Sequence, residues 1–115
     1  VHEYSIVEAL LEQVEAEAEA HRATSVQRIH LSIGELSGVD PELLRLAFDT
    51  FRARSMCEGA ELSIRMLPAR WVCSGCGRAF ERGAILRCAI CSQPGKLSQG
   101  EEIVLDRLEM EASDV

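Results

Sequence analysis

Aromatic residues are scarce in this 115-residue chain, which has one Trp, one Tyr and three Phe, 4% in all. Its core must therefore be mostly aliphatic. A surface that stacks bases on aromatics interleaved with basic residues is also absent. Excess positive charge is missing: the formal net charge is −7, which argues against nucleic acid or an anionic membrane as the main partner. There is no run of about 18 apolar residues, so no transmembrane helix is expected. The opening residues carry acids rather than a basic stretch, so no secretory signal is expected and a cytoplasmic location is. Nothing repeats internally, and no segment is low-complexity. No Gly-rich phosphate loop and no Ser-His-Asp or Cys-His arrangement is legible, so the chain does not read as an enzyme.

What is present begins with a hydrophobic fraction of 47%, enough for an ordinary small core. The length suits one domain, or one domain with a small metal-stapled module. Four of the five cysteines form two Cys-x-x-Cys pairs, Cys73/Cys76 and Cys88/Cys91. Each pair can place two thiolates along one edge of a tetrahedron with Zn–S bonds of ~2.3 Å. Two pairs fill the tetrahedron, so the expected site is closed and structural; a catalytic zinc keeps a position open. Gly75 and Gly77 flank Cys76, as suits a tight turn that aims amides at sulfur. Two disulfides are the competing reading, and a reducing compartment disfavours them. An iron–sulfur cluster is a rarer user of this paired spacing. The fifth cysteine, Cys57, reads as a small, partly buried hydrophobe.

Charge is unevenly distributed. Residues 1–69 carry six basic and twelve acidic side chains, net −6, whereas residues 70–100 carry five basic side chains against Glu81, net +4. Residues 101–115 return to net −5. The basic side chains around the cysteines offset a four-thiolate zinc site, which itself carries −2, and this removes most of the case for a nucleic-acid patch.

Ser5-Ile6-Val7-Glu8 reads as a capping box. Ile6, Val7, Leu10, Leu11, Val14 and Ala18 then share one helical face to about His21, with Glu8, Glu12, Glu15 and Glu19 opposite. Ser25 to Ile33 alternates, with Ile29, Leu31 and Ile33 on the inner side. Asp40-Pro41-Glu42 reads as N-cap, first-turn proline and first-turn acid. Leu43, Leu44, Ala47, Phe48 and Phe51 give a second helix its buried stripe, ending near Arg54. Leu62, Ile64 and Met66 mark a second strand, stopped by Pro68. Glu102 to Glu111 marks a third. Its parity shifts between Leu105 and Leu108, which predicts a bulge near Asp106-Arg107. The third strand returns after the cysteines, so that segment reads as an insertion. Its other apolar residues (Trp71, Val72, Phe80, Ile85, Leu86, Ile90) make too small a core alone, and it should unfold first on loss of metal. The expected fold is α+β: two helices on a small three-stranded sheet, with an inserted four-cysteine zinc-ribbon-like module. Residues 1–69 plus 99–115 form the main domain and residues 70–98 the module.

His21 and His30 read as surface residues, but His2 sits second in the chain. With a free α-amine on residue 1, that amine, the His2 amide nitrogen and the His2 imidazole close two chelate rings on one metal. The Glu3 amide or carboxylate completes a square. Square-planar nitrogen ligation is a preference of Ni(II) and Cu(II). A disordered terminus is the other reading.

The chain resembles the HypA/HybF family of hydrogenase maturation proteins over nearly its whole length. The resemblance rests on His2-Glu3-Tyr4-Ser5-Ile6, on Gly34 through Glu42, on Glu58-Gly59-Ala60-Glu61-Leu62 and on the paired cysteines. The close, Gly100-Glu101-Glu102 before a strand ending Leu108-Glu109-Met110-Glu111, completes it. It implies a nickel metallochaperone in which His2 is the principal nickel ligand, beside the Val1 amine and backbone nitrogens. Glu3 would be an adjacent ligand or support. Asp40 would be an additional carboxylate, a helix cap, or both. Cys73, Cys76, Cys88 and Cys91 would hold structural Zn(II), with Ni(II) as cargo. Implied partners are a nickel-handling maturation GTPase and the [NiFe]-hydrogenase large subunit, with urease served by some members. The chain would act as a monomer or homodimer, without nucleic acid or membrane. Val1 stands where the family opens with Met, and Tyr4 where Met is common. A zinc-ribbon interaction or nucleic-acid module is the alternative that the cysteine pairs alone fit equally well.

Overall fold

In the computed structural model, which describes residues 3–53 and 55–112, the chain begins with α1 (Glu3–Ala20), β1 (Ala23–Gly34) and α2 (Pro41–Phe51). It continues with β2 (Glu61–Leu67), β3 (Arg70–Cys73), β4 (Gly95–Gln99) and β5 (Ile103–Ala112). The large sheet has the order β2-β1-β5, and β3 and β4 form a separate two-stranded sheet. No helix of the described residues is long and apolar enough to cross a membrane.

The apolar face of α1 is the expected one: Val7, Leu10, Leu11, Val14 and Ala18 are buried, and its Glu row is exposed. The start differs. The helix already includes Glu3, and Ser5 is exposed within its first turn rather than preceding the helix as a cap. Tertiary contact accounts for this. Glu3 is buried, and its carboxylate accepts the Asp40 N–H at 3.3 Å. Tyr4 meets Phe51 edge-on at 5.6 Å between ring centroids. Both contacts fasten the first turn of α1 to α2.

Helix α2 begins as expected, with Asp40 as N-cap and Pro41 in the first turn. It ends at Phe51, short of the expected Arg54, which lies outside the described residues. Leu44, Ala47 and Phe48 are buried, but Leu43 is 47% exposed and does not belong to the inner stripe. Arg45 of α2 and Arg52, its C-cap, reach across to the open edge of the sheet. Arg45 donates to the Leu62 carbonyl at 2.5 Å and Arg52 to the Ala60 carbonyl at 2.8 Å. These bonds cover carbonyls that an edge strand otherwise offers to another chain.

β1 pairs parallel with β2 and antiparallel with β5. The parallel pair needs a crossover, and α2 supplies it. The β1–β5 register shifts three times, at Thr24, Gln27 and Asp106, and the last two shifts keep the inward residues in column. Val26 faces Met110 and Ile29 faces Leu108, with Gln27 as the extra residue of β1. Leu31 faces Leu105, with Asp106 as the extra residue of β5. The parity shift in the third strand is thus a bulge at Asp106, as expected. The Asp106 carboxylate accepts the hydroxyl of buried Ser32, which in turn accepts from Arg65 at 3.0 and 3.1 Å. Met66, on the edge strand β2, is 44% exposed rather than inward. Cys57 is fully buried, deeper than expected. Each large apolar side chain buried here contributes about 1.5–3 kcal/mol.

His30 is not a surface residue. Its side chain is half-buried, and its Nε2 lies 2.5 Å from the Glu109 carboxylate. That hydrogen bond, with Arg28 and Arg107 nearby, holds the Glu109 carboxyl below its ordinary value of 4.5.

The cysteine-bearing segment joins the main sheet at Gly34. The Gly34 N–H donates to Glu102 O at 2.7 Å, Glu35 N–H to Leu67 O at 2.8 Å and Leu36 N–H to Gly100 O at 2.7 Å. A Cβ on Gly34 would collide with the Gly100 carbonyl. The Glu35 carboxylate accepts the Ala69 N–H and both terminal nitrogens of Arg82, each at 2.9 Å.

Gly34→Ala is expected to destabilise the fold by about 3 kcal/mol, the upper end for overpacking, because backbone must move; an unchanged urea midpoint contradicts this contact. The stability that Glu109 adds is present above its unfolded value and is lost as pH falls through the lower folded one. Glu109→Gln is therefore expected to flatten the acid limb of stability as pH falls through and below 4.5, measured by denaturant titration.

Candidate metal centres

Cys73 ends β3, and the residues that follow it turn tightly. The Gly77 N–H returns to Cys73 O at 3.0 Å, and the Cys73 N–H donates to Arg78 O at 2.8 Å. The second pair repeats the pattern. The Ser92 N–H returns to Cys88 O at 3.0 Å, and the Cys88 N–H donates to Gln93 O at 2.9 Å. In both knuckles the residue after the second cysteine is left-handed: Gly77 at φ 76° and Ser92 at φ 59°. Gly77 was legible as a turn residue. Ser92 was not, although its place after Cys91 matches that of Gly77 after Cys76.

The two knuckles face each other. All four Sγ atoms lie within 4.8 Å of one another, with Cys73–Cys91 at 3.0 Å and Cys76–Cys88 at 3.8 Å. A tetrahedral tetrathiolate needs edges of about 3.8 Å for bonds of ~2.3 Å. The donor set is all sulfur, so it suits a soft or borderline ion, and four protein donors leave no position open for substrate. Cys73 and Cys88 are buried, Cys91 is half-buried and Cys76 is exposed.

Backbone amides set the electrostatics. The Cys76 N–H, the Cys91 thiol and the Gly75 N–H lower the Cys73 thiol to about 6. The Cys91 and Ile90 amides lower Cys88 in the same way. Cys91 moves up to about 11, chiefly because it donates to Cys73. The amides at the first thiol of each knuckle thus favour the anion that a metal requires.

Apolar support is thinner than expected. Ile85 is 85% exposed and Ile90 64%, leaving Trp71, Val72 and Phe80 as half-buried companions of the cysteines. Under the Arg82–Glu35 pair lies a cleft of about 690 Å³ lined in part by Leu36, Trp71 and Phe80.

The second candidate centre gathers Glu3 and Asp40. Asp40 caps α2 through Oδ1, which accepts the Glu42 N–H at 2.9 Å and the Leu43 N–H at 3.4 Å. Among the described residues nothing donates to its Oδ2. The Asp40 N–H is the group held by Glu3. Thus 37 residues of separation close to hydrogen-bond distance. Val1 and His2 lie outside the described residues.

Fold and cluster together define a small metal-binding α+β protein built from two helices, a mixed sheet and a four-cysteine knuckle pair. A family model described as hydrogenase/urease nickel incorporation, metallochaperone, hypA matches residues 1–110. The hydrogenase maturation factor HypA of Shewanella halifaxensis is 44% identical over 115 residues, covering 96% of this chain and 98% of the relative. That of Wolinella succinogenes is 42% identical over 117 residues, covering 99% and 98%. The solution structure of the Ni metallochaperone HypA from Helicobacter pylori superposes with a TM-score of 0.75 at 34% identity, covering 98% of this chain and all of the other. The chain belongs to the HypA family of hydrogenase and urease nickel-incorporation metallochaperones, which are maturation factors and not enzymes.

Ser92→Gly is expected to stabilise the second knuckle by about 1 kcal/mol, since it removes the cost of a left-handed L-residue. Thermal unfolding of the metal-loaded chain measures it, and a lower midpoint contradicts the assigned strain.

Proposed function

We propose that this chain captures Ni(II) at its opening residues and delivers it for maturation of [NiFe]-hydrogenase, with urease as a second possible target. The observation that carries the reading is the contact of Glu3 with the Asp40 amide. It brings the residue next to His2 against the N-terminus of α2, where Asp40 holds one carboxylate oxygen outside the cap. In this reading His2 is the principal ligand, the Val1 amine and backbone nitrogens complete a square, and Glu3 and Asp40 stand beside it. Square-planar nitrogen ligation favours Ni(II) over Zn(II). A chelate built on the first residues can give up its ligands one at a time, which suits exchange into a target.

Cys73, Cys76, Cys88 and Cys91 are proposed to hold zinc. The ion would supply folding energy to residues 70–98, a module that pairs β3 with β4 and carries little core of its own. Residues 1–69 with 99–115 form the nickel-binding domain, since β5 returns to pair with β1. The partners proposed are a nickel-handling maturation GTPase and the hydrogenase large subunit, met in the cytoplasm by a monomer or homodimer. The family description, which names hydrogenase and urease nickel incorporation, supports this class of target.

Calorimetric titration with Ni(II) tests the assignment. His2→Ala is expected to lose stoichiometric nickel binding while zinc content stays unchanged; full nickel affinity in that variant sinks the role of His2. Asp40→Asn keeps a good cap and is expected to lower nickel affinity about 10-fold, whereas Asp40→Ala also loses ~1 kcal/mol of stability. Equal nickel binding by wild type and Asp40→Asn reduces Asp40 to a cap.

A further inference from the structure

The four thiols of the cluster are not equivalent toward a reagent that arrives from solvent. Cys73 is 1% exposed and Cys88 4%, whereas Cys76 is exposed. The backbone beside Cys76 is open, and a Cβ placed on Gly77 would meet nothing within 4 Å. Cys91 is half-buried, with the Gly75 backbone close to its Sγ. Amide N–H groups are aimed at Cys73, Cys88 and Cys91. Among the described residues none donates to Cys76 Sγ. Hydrogen bonds to a thiolate withdraw electron density, so the exposed sulfur is also the one whose nucleophilicity is least damped.

The thiols meet across the two knuckles as well as within them. Cys73 lies 3.0 Å from Cys91, and Cys76 lies 3.8 Å from Cys88. A modified Cys76 has buried Cys88 as a neighbour on the opposite knuckle, within reach of a disulfide that ties the two turns together.

We propose that the cluster is a peroxide-sensitive site that opens in a set order, with Cys76 oxidised first and then closed onto Cys88 as a disulfide between the knuckles. This rests on the reading of the cluster as a zinc tetrathiolate, in which every sulfur is deprotonated. In the first step a Cys76 sulfur lone pair attacks one oxygen of hydrogen peroxide. The S–O bond forms, the O–O bond breaks and hydroxide leaves, so sulfur is oxidised by two electrons to the sulfenic acid. In the second step the Cys88 thiolate attacks the Cys76 sulfur. The S–S bond forms, the S–O bond breaks and a second hydroxide leaves. The two hydroxides take protons from solvent. Overall, two thiolates lose two electrons and one peroxide becomes two waters.

Two of four donors are then lost, and the remaining pair, Cys73 and Cys91, is too few to retain the ion. With Ile85 and Ile90 already outside the core, the segment loses its order with the metal, and a dithiol reductant together with zinc restores both. Cys57 is fully buried in the main core and takes no part.

Peptide mapping of the whole chain tests the order, because trypsin separates the knuckles into residues 71–78 and 88–96. Zinc content is first fixed by elemental mass spectrometry under reducing conditions. The loaded protein is then treated with less than one equivalent of hydrogen peroxide. With dimedone present, the adduct is expected on Cys76. Without it, the product expected is a peptide pair cross-linked through Cys76 and Cys88, with one zinc released to a chromophoric chelator per disulfide formed. Dithiothreitol and zinc should reverse both. A first adduct on Cys73, Cys88, Cys91 or Cys57 overturns the proposal. So does a disulfide confined to the 71–78 peptide, or zinc release without a cross-link. A reduced preparation without zinc overturns the zinc reading itself, whereas a zinc-loaded one that oxidises elsewhere overturns only the order.

Discussion

Everything else hangs from the close backbone approach at Gly34. There the central strand of the main sheet ends, and Gly100 presses its carbonyl where a side chain would stand. Amides 34, 35 and 36 each donate to a carbonyl on the chain segments that run to and from the cysteines. Unpaired backbone donors are costly once buried, so this short ladder fixes where residues 67–70 and 99–102 leave the sheet. The same loop continues six residues on to Asp40, whose amide is held by Glu3. One junction therefore sets the position of both candidate metal centres.

The two centres are built on opposite principles. At the cysteines, four donors come from two turns that repeat the same pair of backbone hydrogen bonds, and amides stabilise the anionic sulfurs. A closed shell of this kind suits retention of the ion. The Glu3–Asp40 neighbourhood belongs to helix ends, where carboxylates cap backbone amides and one oxygen stays outside the cap. A metal held at such a place can be exchanged without unfolding a core, because the helices rest on Val7, Leu44 and Phe48 instead.

Much of the main fold was legible in particular residues. Asp40 before Pro41 announced a helix start, and Ile29, Leu31 and Ile33 announced an inner strand face. The shift of parity between Leu105 and Leu108 located the Asp106 bulge, because the side-chain period of a strand is two and an odd residue must be taken up somewhere. What failed was local pattern where long-range contact decides. Ser5 reads as a cap, but α1 starts earlier because the Glu3 carboxylate has a partner 37 residues away. Leu43 has a helical spacing suited to the stripe, yet it turns outward. Ile85 and Ile90 look like core and stand in solvent. His30 looked superficial until its partner, Glu109 on β5, came into view.

The sequence by itself determined the two helices, the three strands of the main sheet, the two cysteine knuckles and the family, but not the β3–β4 pair inside the cysteine segment. Those depend on spacing, periodicity and residue chemistry, all of which act within a few positions or survive as ordered motifs along the chain. Only the tertiary structure decided that Glu3 meets Asp40, that Asp40 keeps one oxygen outside its cap, and that Cys76 is exposed while Cys73 and Cys88 are buried. Those facts depend on which segments share space, and the sheet settles this by pairing β1 with β2 on one side and with β5, beyond the cysteines, on the other.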